Sequence, residues 1–437
     1  MTNLFLANVR IIDPSRRVDA VSDLAVRNGM IQPVGSPCED LARIDASGLI
    51  LAPGFWDAHV HFRDPGNSFA ETRRTGSEAA AAGGFTHVVT MPNTLPAGDS
   101  SAWLREQIED DSLPVKILPS ACITVGRRGQ TVADLETLAR NGASCFTDDG
   151  AMVADDAVMR AAMRRAFVLR KPMMDHAVVP TIAKTGVIRD CALARRYNLP
   201  VFPPEAETEA VSRDIRLCRE TGCALNIQHI STAGAVAAVR AARAEGLPVT
   251  AEASPHHLAL AAEDIPFDDG NYRMNPPLGT RADVRAIRDG VLDGTLSLFA
   301  TDHAPHAVET KSKGFLKAPF GVIGLETAIG VTWKVMVEEE HMSIPDWIAH
   351  WTTAPAALLG RPAPTLAPGA TADFVLIDPE TPWRVAPERF RSLSRNTPFD
   401  GWTLHARAVL TVCEGRTTFV RATGGSPSST APTLLPL

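Results

Sequence analysis

Between residues 49 and 300, short apolar runs alternate with helix-forming stretches, and the alternation repeats eight times. The runs are Leu49–Phe55, His87–Met91, Val115–Ile123, Ala143–Phe146, Pro172–Met174, Ala224–Ile227, Pro248–Ala251 and Leu296–Ala300. Stretches rich in Ala, Arg and Leu separate them, including Glu71–Ala82, Ala133–Arg140, Asp156–Leu169, Glu207–Arg219, Ala233–Ala244 and Ala282–Val291. Several of these end in Gly or Asn-Gly, at Gly83-Gly84, Asn141-Gly142, Gly222 and Gly246, as helix C-termini commonly do. One short apolar run is ambiguous between strand and buried helix. Eight in strand–helix alternation predict an α/β fold, a parallel TIM-like (β/α)8 barrel, over residues 51–364.

The flanks have a different texture. Residues 1–50 read as short strands with turns at Asp13-Pro14, Asn28-Gly29 and Ser47-Gly48. From about residue 365 the pattern returns in Ala372–Ile377, Arg407–Cys413 and Thr417–Val420, punctuated by Gly369, Pro379 and Gly415. Residues 1–50 and 365–437 are therefore expected to pair into one small β-sandwich beside the barrel. The tail from Gly424 is small and Pro-rich and reads as disordered. At 437 residues the chain exceeds the usual size of one core, which fits a large barrel with an appended unit.

Composition removes several function classes. A formal charge of -7 provides no basic field for nucleic acid. No apolar run is long enough to span a bilayer. Met1–Leu6 is followed at once by Arg10 and Asp13, so it reads as a first strand rather than a signal peptide. The seven cysteines form no Cys-x-x-Cys pair, which points to reduced thiols and a cytoplasmic location.

Chemistry collects where the apolar runs end, the end of a barrel at which active sites are built. Strand order puts His59 and His61 at strand 1, Asn93 at strand 2, Asp149 at strand 4 and His176 at strand 5. His229 falls at strand 6, Asn275 after strand 7 and Asp302 at strand 8. Residues two apart on a strand face the same way, so His59 and His61 can reach one ion together. Four histidines and two aspartates describe a site for two metal ions, and imidazole with carboxylate suits zinc. By reach, His59, His61 and Asp302 hold one ion, His176 and His229 the other, and a carboxylate bridges them. Asp149 is the better bridge and Asp148 the competitor, the two pointing in opposite directions along the pleat. No lysine stands in Phe146-Thr-Asp-Asp-Gly150 to be carbamylated instead.

A water bridging two zinc ions loses its proton near neutral pH. Asp302 is placed to take that proton and return it to a leaving group; its alternative role is a helix N-cap before Ala304-Pro305. His256 and His257 read as packing or supporting residues, and His87, His341, His350 and His405 as structural. Arg63, two residues after His61, joins Asn93 and His306 as a polar set suited to a small acidic substrate, since arginine prefers planar carboxylates.

These motifs also resemble a family. Asp57-Ala-His-Val-His-Phe-Arg-Asp-Pro-Gly66, Met91-Pro-Asn-Thr94, Phe146-Thr-Asp-Asp-Gly150, Asn275-Pro-Pro277, Ala300-Thr-Asp-His-Ala-Pro-His306, Ala318-Pro-Phe-Gly321 and Arg395-Asn-Thr-Pro-Phe399 are similar to the bacterial type I dihydroorotases of the amidohydrolase superfamily. The resemblance implies two zinc ions per subunit on His59, His61, Asp149, His176, His229 and Asp302, and it selects Asp149 over Asp148 as the bridge. It implies substrate contacts at Arg63, Asn93, Asn275, His306, Phe320 and Gly321, and a catalytic acid/base at Asp302. The chain departs from the pattern after His176, where relatives carry Cys and an acidic residue and this sequence has Ala177-Val178.

The implied reaction is the reversible closure of N-carbamoyl-L-aspartate to L-dihydroorotate, a step of pyrimidine synthesis. A bridging hydroxide attacks the ring carbonyl, and Asp302 passes its proton to the ring nitrogen. Arg63, Asn93 and His306 hold the side carboxylate. Two alternatives stand beside it. A hydantoinase or dihydropyrimidinase would share the metals, but its relatives usually use a carbamylated lysine and need no carboxylate clamp. A non-catalytic partner of aspartate carbamoyltransferase would have lost metal ligands, which this chain keeps. The resemblance is compatible with a homodimer and with a complex with aspartate carbamoyltransferase.

Overall fold

The computed structural model describes residues 1–266 and 268–421. The Pro-rich tail lies outside the described residues. Eight staves close a parallel barrel. They are Phe55–Val60, Phe85–Thr90, Lys116–Ile117, a single bridge at Phe146, Met173–Asp175, Leu225–Ile227, Val249–Ala253 and Leu298–Phe299. The ring shuts where Val60 bridges His303 and the His61 amide donates to the His303 carbonyl at 2.8 Å.

The fourth stave is shorter than the run Ala143–Phe146 suggests. Phe146 alone bridges Ala121 on one side and Met173 on the other. Pro119 and Pro172 accept from Ser144 and Phe146 there and have no N–H to return, so the ladder cannot extend.

Helices pack around the staves, with Asp156–Leu169 and Ala233–Ala244 at the expected limits and Glu205–Thr221 longer by two residues at each end. Side chains satisfy their first turns, as where Thr232 accepts from the Ala235 amide and Thr280 with Asp283 forms a capping box. Phe55 and Phe85, the first residues of their strands, pack against Trp347 and Trp351. This apolar filling sits at the N-terminal end and leaves the other end for polar groups.

The two chain ends join in one sheet. Leu4–Asp13 pairs with Val18–Arg27, Ala42–Asp45 and Ile50–Pro53, and Phe374–Asp378 links Ile50–Pro53 to Arg407–Cys413. With Met30–Ile31 paired to Val18–Arg27 and Arg416–Val420 to Arg407–Cys413, eight strands form one hydrogen-bonded sheet around a core that includes Leu6, Leu51, Phe374 and Val412. Two boundaries differ from the sequence reading. Ile50–Pro53 belongs to this terminal sheet, and the run Leu49–Phe55 divides at Gly54. A Cβ on Gly54 would lie 2.3 Å from Oγ1 of Thr86, so only glycine lets the chain pass from one unit to the other there.

The second difference is at the C-terminal side. Residues 383–404 leave the sheet and return to the barrel, where Val385, Phe399 and Leu404 share a core with Val187, Met274 and Val322. Among the described residues no helix is long and apolar enough to cross a membrane. All seven cysteines are unpaired, and all but Cys38 are buried.

Candidate active site

The first strand sets the site's foundation. Asp57 accepts from the amides of His59 and Thr301, both at 3.1 Å, and from the Thr301 hydroxyl at 2.5 Å. It thereby ties strand 1 to strand 8 beneath His59 and Asp302. Burial pushes its carboxyl up to about 7 despite these bonds.

Above it all six sequence-identified ligand candidates converge, each buried. Nε2 of His61 lies 2.9 Å from Oδ1 of Asp302, and Nε2 of His59 lies 3.5 Å from the same oxygen. Oδ1 of Asp149 is 3.4 Å from Nε2 of His59 and 3.8 Å from Nδ1 of His176. Nδ1 of His176 is 2.9 Å from Nε2 of His229. Two groups have ligand atoms within 4.8 Å of one another: His59, His61 and Asp302, and His59, Asp149 and His229.

The donor set fits a cation. His59 Nε2 is buried without a hydrogen-bond partner, aimed at two carboxylates. The close ring nitrogens of His176 and His229 present two lone pairs to one space, which a metal ion accommodates. Burial pushes the Asp302 carboxyl up, but its bond to His61 and the charges of His59, His61 and His229 outweigh that and hold it below the ordinary carboxylate range. Burial opposes ionisation of Asp149 too, and His61, His59 and His176 overcome it. Both carboxylates stay ionised, as metal ligands must be.

A further layer orients the rings. Nδ1 of His59 meets Oε2 of Glu252 at 3.1 Å, leaving Nε2 free for the site. Asn93 bridges two candidates, its Oδ1 3.0 Å from Nδ1 of His61 and its Nδ2 donating to Oδ2 of Asp149 at 2.7 Å. Its amide is thus spent on ligand candidates here, although the sequence grouped it with Arg63 and His306. The amide of Asn275 lies 3.0 Å from Nε2 of His176, on the side of the ring away from Asp149. Asp148 points out of the site, accepting from the amides of Ile123 and Thr124 at 2.8 and 3.1 Å. His257 binds the Pro276 carbonyl at 3.0 Å, and neither it nor His256 belongs to a ligand group.

Arg63, His306, Phe320 and Gly321 form one wall. Nε of Arg63 donates to the Pro305 carbonyl at 3.3 Å, and Nη2 lies 3.4 Å from Nε2 of His306. That Nε2 is also 2.6 Å from the Phe320 carbonyl. Burial, with Arg63 and Lys311 nearby, pushes His306 down to about 3, so its ring is neutral. Arg63 lies beyond the strand, which ends at Val60, and has φ 57. His229 and Asp302 also have positive φ, 31 and 48, and no helix begins at Asp302. Such backbone is uncommon for residues with side chains and concentrates at functional sites.

Several contributors escaped the sequence reading. Glu252 had a signal, a lone acid in the apolar strand Val249–Ala253. Asn396 lies in the Arg395–Phe399 motif; its Oδ1 accepts from the His306 amide at 3.1 Å and its Nδ2 donates to the Ala304 and Gly321 carbonyls, each at 3.0 Å. Arg127, which donates to the Asp148 carbonyl at 3.3 Å and also to that of Asp149, had no signal at all.

A family model described as dihydro-orotase-like matches residues 48–235, and one described as amidohydrolase family matches residues 316–419. A dihydroorotase from Syntrophotalea carbinolica is 40% identical over 95% of this chain and 99% of its own length. The chain belongs to the dihydroorotase family. A dihydroorotase from a Geobacillus species is 42% identical over 90% of this chain and 94% of that protein. Among solved structures, the L-hydantoinase of Arthrobacter aurescens superposes with a TM-score of 0.82 at 24% identity, covering 95% of this chain and 96% of that one. A dihydropyrimidinase from Brevibacillus agri gives 0.82 at 24% identity over 95% of each chain. Those two establish the amidohydrolase fold. Dihydroorotase kinship together with the two buried His/Asp groups makes the chain a metal-dependent cyclic amidohydrolase.

Proposed function

We propose that this chain interconverts N-carbamoyl-L-aspartate and L-dihydroorotate in the cytoplasm, using two zinc ions held by His59, His61, Asp149, His176, His229 and Asp302. The observation that carries the substrate assignment is Arg63. Its half-buried guanidinium meets a carbonyl and a neutral imidazole and no carboxylate, beside two metal-ligand groups. An arginine facing the site with no carboxylate partner is a receptor for a planar anion, and the carboxylate of dihydroorotate supplies one.

Zinc bound there would polarise the ring carbonyl and lower the pKa of a water. In ring opening, water adds to the ring carbonyl carbon and the carbon–nitrogen bond breaks. Asp302 takes the proton of the attacking water and gives it to the departing nitrogen; its carboxylate is ionised beside His61 and so has the lone pair to accept that proton. Arg63 pairs with the substrate carboxylate, and His306 and the Phe320–Gly321 peptide line the same side. Asn275 Oδ1, buried without a partner, provides a further acceptor. Asn93 acts through His61 and Asp149, keeping both in register.

The test is metal analysis and turnover on one purified sample, with dihydroorotate and uncharged dihydrouracil compared. About two zinc ions per chain and strong preference for dihydroorotate are expected. Preference for dihydrouracil would make the chain a dihydropyrimidinase-like enzyme instead.

A further inference from the structure

The segments that carry Asn275, His306 and Phe320 meet at one buried ammonium. Lys311 ends the short helix Val308–Lys311 and is 3% exposed. Its Nζ donates to the carbonyls of Arg273 at 3.0 Å, Pro319 at 3.0 Å and Gly321 at 2.8 Å. An ammonium has three protons, so each has an acceptor, and none of the acceptors is a carboxylate. Burial, helped by the Arg273 guanidinium and opposed by Asp269, pushes the amine down to about 7. Holding a cation there is costly, and the three carbonyls are what offsets the cost.

Other contacts converge on the same peptide. The Arg273 carbonyl also accepts from the Gly321 amide at 3.0 Å, and the Gly321 carbonyl from Asn396 Nδ2 at 3.0 Å. Gly321 has φ 129, and a Cβ there would lie 2.6 Å from the Ala304 Cβ and 3.1 Å from Nε2 of His306. The Phe320 ring lies 4.1 Å from the Arg273 guanidinium carbon. Lys311 thus holds, from behind, a peptide whose Phe320 carbonyl meets His306.

We propose that Lys311 is a positioning residue for substrate recognition, locking Pro319–Gly321 to the segment that leads into Asn275 so that His306 and the Phe320–Gly321 peptide meet the substrate in fixed geometry. The proposal rests on dihydroorotate being the substrate. Lys311 touches no metal-ligand candidate through its Nζ; its three acceptors lie on the Pro319–Gly321 segment and on the segment before Asn275.

Lys311→Met keeps the apolar stem and removes all three donors. The KM for dihydroorotate is expected to rise roughly tenfold or more, with kcat within about threefold of wild type and zinc content unchanged. An unchanged KM, or an equal loss of kcat and metal, overturns the proposal. Wild-type enzyme inactive on dihydroorotate refutes the substrate reading itself; active wild type with an indifferent Lys311→Met refutes only the role of Lys311.

If Lys311→Met does not fold, the wild-type KM against pH decides. A neutral amine has two donors for three carbonyls, so KM should rise as pH climbs through about 7. Arg273, Asp269 and His306 are the charged or titratable groups that act on it, and His306, pushed down to about 3, stays neutral throughout. A KM flat from about pH 6 to about pH 9 overturns the proposal.

Discussion

Oε2 of Glu252 lies 3.1 Å from Nδ1 of His59, and both side chains are fully buried. The same oxygen accepts from the His229 amide at 3.2 Å, while Asn226 donates to Oε1 at 2.7 Å. One carboxylate therefore orients two ligand candidates and selects the His59 tautomer with Nε2 free. Glu252→Gln is expected to weaken metal binding roughly 10- to 100-fold, read by competition with a chelator. Unaltered affinity would mean that the Glu252 contact does not tune His59.

Asp302→Asn should reduce turnover by roughly 10²- to 10⁴-fold, the usual contribution of a general acid–base group. The KM should change far less, because the proton shuttle and not the substrate contact is removed. Zinc content is measured on the same sample, since Asp302 is also a ligand candidate 2.9 Å from His61. Most of the activity surviving with full metal would exclude Asp302 as the shuttle.

Arg63→Met should raise the KM for dihydroorotate about ten- to a hundredfold, matching about 1.5–3 kcal/mol for a charge-assisted contact. Any activity on an uncharged cyclic imide should be little affected. Equal losses on both substrates would show that Arg63 serves the loop through the Pro305 carbonyl instead.

Reconstitution with zinc should not require bicarbonate. Many dinuclear relatives bridge their metals with a carbamylated lysine, whereas here Asp149 stands 3.4 Å from His59 and 3.8 Å from His176 and is already ionised. Metal-free enzyme given zinc in degassed, bicarbonate-free buffer should regain the activity it regains with bicarbonate. A clear requirement for bicarbonate would replace the Asp149 bridge with a lysine.

The sequence by itself determined the barrel and the six ligand candidates. Strand period and helix period differ, so eight alternations specify the architecture locally, and polar residues ending apolar runs must lie at the barrel's mouth. It also separated Asp148 from Asp149 as far as the pleat allows, and the structure turns Asp148 toward Thr124. Only the tertiary structure decided what depends on ring closure and backbone hand. Glu252 reaches His59 across 193 residues because closing the barrel points strands 7 and 1 into one interior, with strand 8 between them, which no local pattern encodes. Arg63, His229 and Asp302 take positive φ because their neighbours over-determine it, against their intrinsic preference. Residues 383–404 carry Asn396 back to the wall of the site because Phe399 and Leu404 bury against barrel residues, a gain visible only once both surfaces exist.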